Sequence, residues 1–282
     1  MAWTGADREL ARNGRFFIQR SDYSRAQAGP NLEPLMTDSL ESLEHIAQRY
    51  HLSDEVPDRF IESACQHYCC DWIAGHLQGA ESVLELGYGD GITLSRLSPL
   101  VPSYRVIEGA KSLAERVRRE HPKVEVLHQL FEEHQSAQPY DRVLALHVLE
   151  HVDDPVSLLR HMANWMGPDS EMIVVVPNSE SLHRRLAVLM GLQPELDTLS
   201  ARDKVVGHQR VYDLAGLIAD LEAGGFEVIE SKGFFLKTLP NSMMLEYSEG
   251  LIAGLNALSE QLPAQLLANL AVRVRLASAS DG

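Results

Sequence analysis

The sequence predicts an α/β protein: a doubly wound, mostly parallel sheet closed by a terminal antiparallel hairpin, with helical extensions at both ends and a helical cap insertion. Three observations carry this expectation. From Glu81 onward, short apolar stretches alternate with periodic stretches of helix length, the pattern of strands joined by helical crossovers. The first apolar stretch runs straight into a glycine-rich turn, Gly87-Tyr88-Gly89-Asp90-Gly91, with a helix pattern immediately after it. A chain of 282 residues, 45% of them hydrophobic and 23% charged, also has the composition of a globular protein with a sizeable core.

Residues 1–78 read as an N-terminal helical appendage: FFIQRSDYSRAQAGPNLEP is loop-like, whereas SLESLEHIAQRYHL and DRFIESACQHYCCDWIAGHL are amphipathic at helical spacing. Residues 79–242 read as the sheet domain. Its parallel strands are SVLELG, SYRVIEG, KVEVLHQ, YDRVLALH and EMIVVVPN, with ITLSRLSPL, KSLAERVRREH and DPVSLLRHMANWMG as intervening helices. Asp154-Pro155 marks a helix start, the aspartate as cap and the proline in the first turn. Residues 179–211 interrupt the rhythm and are too long for a plain crossover, so they read as a cap over the sheet edge. LAGLIADLEAGG is a further helix ending on paired glycines, and FEVIESKGFFLKTL reads as two strands joined by a glycine turn. The tail, residues 243–282, reads as helical (LIAGLNALSEQL, AQLLANLAVRVRL), its apolar face packing on the N-terminal helices or forming a homodimer contact.

Charge and composition narrow the function. With 25 Lys and Arg against 40 Asp and Glu, the net charge of −15 repels polyanions, which argues against nucleic acid as a partner. The densest basic stretch, ERVRREH, interleaves its arginines with Glu115 and Glu120 and reads as a solvated helix face. No apolar run is long enough to span a membrane, and MAWTGADREL does not look like a secretion signal. Cys65, Cys69 and Cys70 are clustered in one helical segment, an odd set unsuited to a disulfide framework, so they read as free thiols in a reducing cytoplasm. His67 lies on another face from Cys65 and Cys69, and no metal site is expected there.

The glycine turn points to a nucleoside. Glycine at the carboxyl end of a first parallel strand lets a ligand approach bare backbone. The glycines fall at 87, 89 and 91 and position 92 is Ile, so the GxGxxG dinucleotide spacing is not matched. Glu85, inside the strand just before the turn, is a poor neighbour for a pyrophosphate and a better one for a cationic or zwitterionic nucleoside. Glu108, at the end of the second strand, can accept hydrogen bonds from both ribose hydroxyls.

VLELGYGDG with Glu108, together with YDRVLALHVLEHVDDP, resembles the class I S-adenosylmethionine-dependent methyltransferases, in particular the small-molecule branch related to quinone-biosynthesis methyltransferases. The resemblance spans about residues 78–240 and implies a Rossmann-like domain that binds S-adenosyl-L-methionine. It implies that Gly87, Gly89 and Gly91 line the cofactor, that Glu85 lies near its amino group and that Glu108 holds its ribose diol. Gln129, Leu130 and Phe131 would lie beside the adenine, and Tyr88 replaces the small residue often found within the turn.

By the same likeness His147, at the end of the fourth strand, faces the methyl group or the acceptor, where it can serve as a general base or orient the cofactor. Glu150-His151 then reads as an element beside the cofactor. In GHQRVYD, His208, Arg210 and Tyr212 alternate, so an extended segment would present all three to one side. His208 and Tyr212 are candidate acid–base groups, and Arg210 and Asn178 candidate substrate contacts. His161 and His183 read as surface residues. The expected chemistry is O-, N- or C-methylation of a small metabolite. Other uses of the same cofactor (aminocarboxypropyl transfer or cyclisation), a nicotinamide-dependent oxidoreductase and a silent scaffold remain as competing readings.

Overall fold

The structure, a computed structural model, describes residues 40–52 and 57–278. The loop-like stretch expected before residue 40 lies outside them. Helix α1 (Leu40–Ile46) continues into a π-helical turn, Ala47–His51, and α2 spans Arg59–His76. The sheet domain then runs β1 (Ser82–Leu86), α3 (Ile92–Leu97), β2 (Ser103–Ile107), α4 (Lys111–Glu120), β3 (Glu125–Leu127), β4 (Tyr140–Leu146), α5 (Pro155–Ala163) and β5 (Met166–Pro177). After it come α6 (Leu182–Leu189), α7 (Ala201–Val205), α8 (Leu214–Ala223), β6 (Phe226–Phe234), α9 (Glu249–Ser259) and β7 (Asn269–Leu276).

The strands form one seven-stranded sheet in the order β3-β2-β1-β4-β5-β7-β6. β1 pairs in parallel with both β2 and β4, so the connections diverge at β1 and open a crevice at the carboxyl ends of these strands. Successive residues of β1 feed opposite faces. Val83 packs with Ile61, Cys65, Ile73, Leu94 and Val106, whereas Leu84 packs with Val143, Leu158, Met162 and Trp165. Both faces are covered by helices, which is why Met172–Val176 of β5 is apolar without alternation and wholly buried.

The antiparallel hairpin exists, but its partners differ from those expected. β6 continues straight through Gly233, where a Cβ would come within 2.8 Å of Ala264; the glycine admits a neighbouring turn rather than making one. Its mate is β7, which enters between β5 and β6 and is antiparallel to both. The helix expected in AQLLANLAVRVRL is therefore a short 3-10 turn at Ala264–Leu266 followed by a strand. Ala271 and Val272 are fully buried, while Arg273 binds Glu171 and Arg275 binds Glu227 on the flanking strands. These cross-strand ion pairs favour extended chain over a helix.

Local signals that were read correctly have visible causes. Asp154 accepts from the Ser157 amide at 2.9 Å with Pro155 in the first turn of α5, and α8 ends on Gly225 at φ +93°. The three cysteines are free and buried, and burial pushes the Cys65 and Cys70 thiols up to about 12.

Candidate active site

A cavity of about 1140 Å³ opens at the carboxyl ends of β1, β2 and β4, with its walls completed by α1, the π-helical turn and the 182–208 cap. Its floor is the glycine turn. Gly87, Gly89 and Gly91 hold φ of +76°, +54° and +78°, a conformation that favours glycine. Gly91 has a second reason to lack a side chain, because its Cβ would fall 2.3 Å from the Tyr88 hydroxyl. The Tyr88 ring is accordingly turned inward, only 3% exposed, with its hydroxyl 3.3 Å from Glu120.

Glu108 is buried at the end of β2, accepting from the Tyr88 amide at 2.9 Å and the Ala110 amide at 2.7 Å. Burial raises its pKa against the pull of these two bonds. A carboxylate has about four lone-pair sites, so acceptor capacity remains for a ligand diol. Glu85 is also buried, bonded to Thr93 and to Tyr104 at 2.9 Å, and burial pushes it up to about 7. Phe131 joins the wall, whereas Gln129 and Leu130 do not: the Gln129 amide lies 3.1 Å from His134 Nδ1 instead.

The N-terminal segment and the cap meet above this floor. His51 Nδ1 lies 2.9 Å from Asp90 Oδ1 in the glycine turn, and Arg59 donates to the Tyr50 carbonyl at 2.9 Å and the His51 carbonyl at 3.2 Å. From α7, Arg202 reaches back to Asp58 and the Tyr50 hydroxyl.

His147 directly follows β4 in the left-handed region at φ +58°, a strained position for a residue with a Cβ. Its amide still extends the sheet ladder, donating to the Val175 carbonyl at 2.8 Å, and its ring lines the cavity with Nδ1 3.0 Å from Glu150 Oε1. Burial favours the neutral ring, but the bond to the Glu150 carboxylate outweighs it and holds His147 above its ordinary pKa. Glu150 is fully buried, and its Oε2 has no hydrogen-bond partner. Such an orphaned acceptor costs on the order of 1–3 kcal/mol, more when charged.

His208 lines the cavity beside His151, the rings meeting edge-on with centroids 4.7 Å apart. Its Nδ1 lies 3.0 Å from Asp203 Oδ1, and Asp203 also accepts from Arg184 at 2.8 Å. Burial alone would raise the Asp203 carboxyl, but the His208 bond and the Arg184 charge hold it well below the usual range. Burial lowers His151 to about 4, so the ring stays neutral.

Six expected site residues lie outside the cavity wall: Gly91, although Gly87–Asp90 before it do line the cavity, then Gln129 and Leu130, and three more that are each held elsewhere by their own hydrogen bonds. Tyr212 is buried with its hydroxyl on Asp220 at 2.9 Å. Arg210 donates to the carbonyls of Leu149 at 2.9 Å, Asp153 at 3.0 Å and Val152, so it braces the loop after β4 rather than meeting a substrate acid. Asn178 donates its amide to the carbonyls of Gln265 and Leu267 at 2.9 and 2.8 Å, fastening the end of β5 to the approach to β7. The alternation of His208, Arg210 and Tyr212 is real, but the segment turns only His208 to the cavity. His183, read as a surface residue, also lines the cavity, and its Nδ1 is buried without a partner. His161 likewise has a buried Nε2 without a partner and packs on Trp165.

Sequence reasoning missed Tyr50, His51, Asp203 and Lys237, all of which line the cavity. Each comes from a segment far from the glycine turn, and none sits in a spacing pattern that marks it. The Lys237 ammonium is held below its ordinary pKa by burial.

Over residues 58–231 the chain matches a family described as "Methyltransferase domain". A comparison with curated proteins gives no match. Among solved structures, an S-adenosylmethionine-dependent methyltransferase described as a possible histamine N-methyltransferase, from Thermotoga maritima, is similar with a TM-score of 0.56 at 20% identity, covering 82% of this chain and 98% of its own. An S-adenosylmethionine-dependent methyltransferase from Mesorhizobium loti gives a TM-score of 0.52 at 15% identity, with 73% of this chain and 97% of that one covered. The mitomycin 7-O-methyltransferase MmcR gives 0.54 at 20% identity, with 96% and 66% covered. At these identities the likeness is one of fold.

Proposed function

The chain belongs to the methyltransferase-domain family, and from that premise we propose that it moves the methyl group of S-adenosylmethionine onto a small-molecule acceptor held beneath the cap. One observation carries this reading: the same cavity contains the glycine turn with Glu85 and Glu108 at its floor and His147 and His208 in its wall. Its volume, about 1140 Å³, exceeds that of most single-ligand pockets and leaves room for a nucleoside and an acceptor together.

The residues fit the cofactor. Glu108 offers acceptor oxygens for a ribose diol, and the Gly87–Gly91 turn offers close approach to backbone. Glu85 supplies a carboxylate for an amino group, and two carboxylates at this floor disfavour a pyrophosphate. Bound there, S-adenosylmethionine supplies an electrophilic methyl group on a sulfonium.

What the protein must add is alignment and exclusion of water. The N-terminal turn and the cap do this by closing on each other through Arg202, Asp58 and Tyr50. His147, with Nδ1 engaged by Glu150, keeps Nε2 to take the proton that an attacking hydroxyl or amine gives up. The acidic surface, with a net charge of −15, and the enclosing cap favour a metabolite over a nucleic acid. The acceptors named for two of the structural neighbours, histamine and mitomycin, are also small molecules.

The test is transfer of labelled methyl from S-adenosylmethionine in a cell extract depleted of small molecules and then resupplied with them. Label is expected in the low-mass fraction only when that fraction is returned, and less of it with His147→Ala. Label confined to RNA or protein would overturn the small-molecule reading.

A further inference from the structure

Where the loop after β4 meets the cap, Glu150, His151 and His208 each bring one ligand atom, and these atoms lie within 4.8 Å of one another. Three independent features distinguish this group from a chance cluster. The Glu150 side chain has no exposed surface, one of its oxygens serves His147, and the other is buried without a partner. A buried carboxylate oxygen in that state is what a cation would satisfy.

The histidines are prepared in the way ligating histidines usually are. His208 is oriented through Nδ1 by Asp203, which is itself fixed by Arg184 and by the Ser200 amide, both at 2.8 Å. A carboxylate behind a histidine sets its tautomer and raises its basicity as a ligand. His151 packs edge-on against the His208 ring, with centroids 4.7 Å apart, which brings both imidazoles to one place.

The two ligand-bearing segments are also pinned to each other. The Gln209 amide donates to the Glu150 carbonyl at 2.8 Å, its side chain to the His151 carbonyl at 2.7 Å, and Arg210 grips the carbonyls of Leu149 and Asp153. Distant stretches of sequence are thus held in a fixed relation at the three groups, which accounts for the bonds that occupy Arg210.

We propose that Glu150, His151 and His208 form a divalent-cation site of the two-histidine, one-carboxylate type, and that the cation chelates an acceptor bearing a hydroxyl next to a second oxygen. The donor set selects the ion. Two imidazoles suit Fe²⁺ through Zn²⁺, the carboxylate and the open positions also admit Mn²⁺, and Mg²⁺ prefers oxygen ligands alone. Three protein ligands leave positions open, and because His151 and His208 line the cavity whereas Glu150 lies behind its wall, those positions belong to the cavity side. A hydroxyl bound to the cation loses its proton more readily, and His147, joined to the same carboxylate, is placed to receive it. The chelated acceptor rests on the methyl-transfer reading; binding of the cation does not.

The test uses the full chain, treated with chelator and free of cofactor and acceptor, titrated with Mn²⁺ while the signal of free Mn²⁺ is followed by electron paramagnetic resonance. One equivalent is expected to bind and to resist displacement by a tenfold excess of Mg²⁺. His208→Ala and His151→Ala are each expected to weaken binding at least about 100-fold, and Asp203→Asn about 10-fold or more. Binding of S-adenosylhomocysteine by each variant verifies that it is folded and reports separately on the cofactor site.

No bound Mn²⁺, displacement by Mg²⁺, or equal binding by the folded histidine variants would overturn the site. For the acceptor, catechol is expected to bind the Mn²⁺ form at least about tenfold more tightly than the metal-free form, with phenol showing no such gain. Equal catechol affinity for both forms would overturn chelation and leave the cation site standing.

Discussion

His147 Nδ1 lies 3.0 Å from Glu150 Oε1, joining a histidine of the cavity wall to a carboxylate with no exposed surface. The pairing raises the His147 pKa above its ordinary 6.5 against the opposing effect of burial. With the folded value above the unfolded one, the stability from the pair is complete below about pH 6.5 and is lost as pH rises through the folded value. Glu150→Gln is expected to lower the His147 pKa, seen by NMR titration of the chelator-treated protein. The acid limb of the kcat profile is expected to move to lower pH with it. His147→Asn, which cannot accept a proton at that position, is expected to cut kcat by about 10²-fold or more while leaving cofactor affinity nearly unchanged. An unmoved titration in Glu150→Gln would contradict the pairing.

Gly91 and Tyr88 form a second testable pair. Gly91→Ala is expected to cost about 2–4 kcal/mol in chemical denaturation, from a strained φ and from collision with the tyrosine ring. In a Tyr88→Ala background the collision disappears and only the backbone part, about 1–2 kcal/mol, is expected to remain. Additive costs would mean that the ring does not occupy the space over Gly91.

Glu85 makes cofactor affinity depend on pH. Burial holds its carboxyl at about 7, so its neutral form favours the folded state, and that contribution, complete below the unfolded value, fades as pH rises through about 7. A ligand ammonium stabilises the carboxylate and expels the proton. Affinity for S-adenosylhomocysteine is therefore expected to rise between about pH 5 and 7 with measurable proton release, and Glu85→Gln to abolish both effects. Calorimetry in buffers of different ionisation heat makes the comparison.

Asn178 should behave as a fastener. Asn178→Ala leaves the Gln265 and Leu267 carbonyls without their donor and is expected to destabilise the fold by about 2–3 kcal/mol. KM for any acceptor should be unaffected. A KM effect without loss of stability would return Asn178 to the substrate site.

The parts of the molecule that were legible in the sequence are those governed by local pattern. The β1 run into Gly87, the acid at the end of β2 and the Asp154 cap each follow from residues adjacent in the chain. β7 carries a helical pattern in its sequence approach, Leu266, Leu267 and Leu270, while the ion pairs of Arg273 and Arg275 that hold it extended reach strands far away in sequence. The same limit governs the site. His147 stands out at a strand end, but Asp203 and Lys237 acquire meaning only once the cap folds over the sheet. For Arg210 and Tyr212, alternation gives the side a residue takes and not the partners that hold it, here the carbonyls after β4 and Asp220.

The berth formed by the glycine turn and Glu108 is tested most directly by calorimetric titration of S-adenosylhomocysteine into the wild-type protein and Glu108→Ala, with NAD as the rival ligand. One equivalent of S-adenosylhomocysteine is expected to bind the wild type, and the variant to bind it about 10- to 150-fold more weakly, the scale of a charge-assisted hydrogen bond of about 1.5–3 kcal/mol. Binding of NAD with no response to S-adenosylhomocysteine, or undiminished affinity in a folded Glu108→Ala, would contradict the berth.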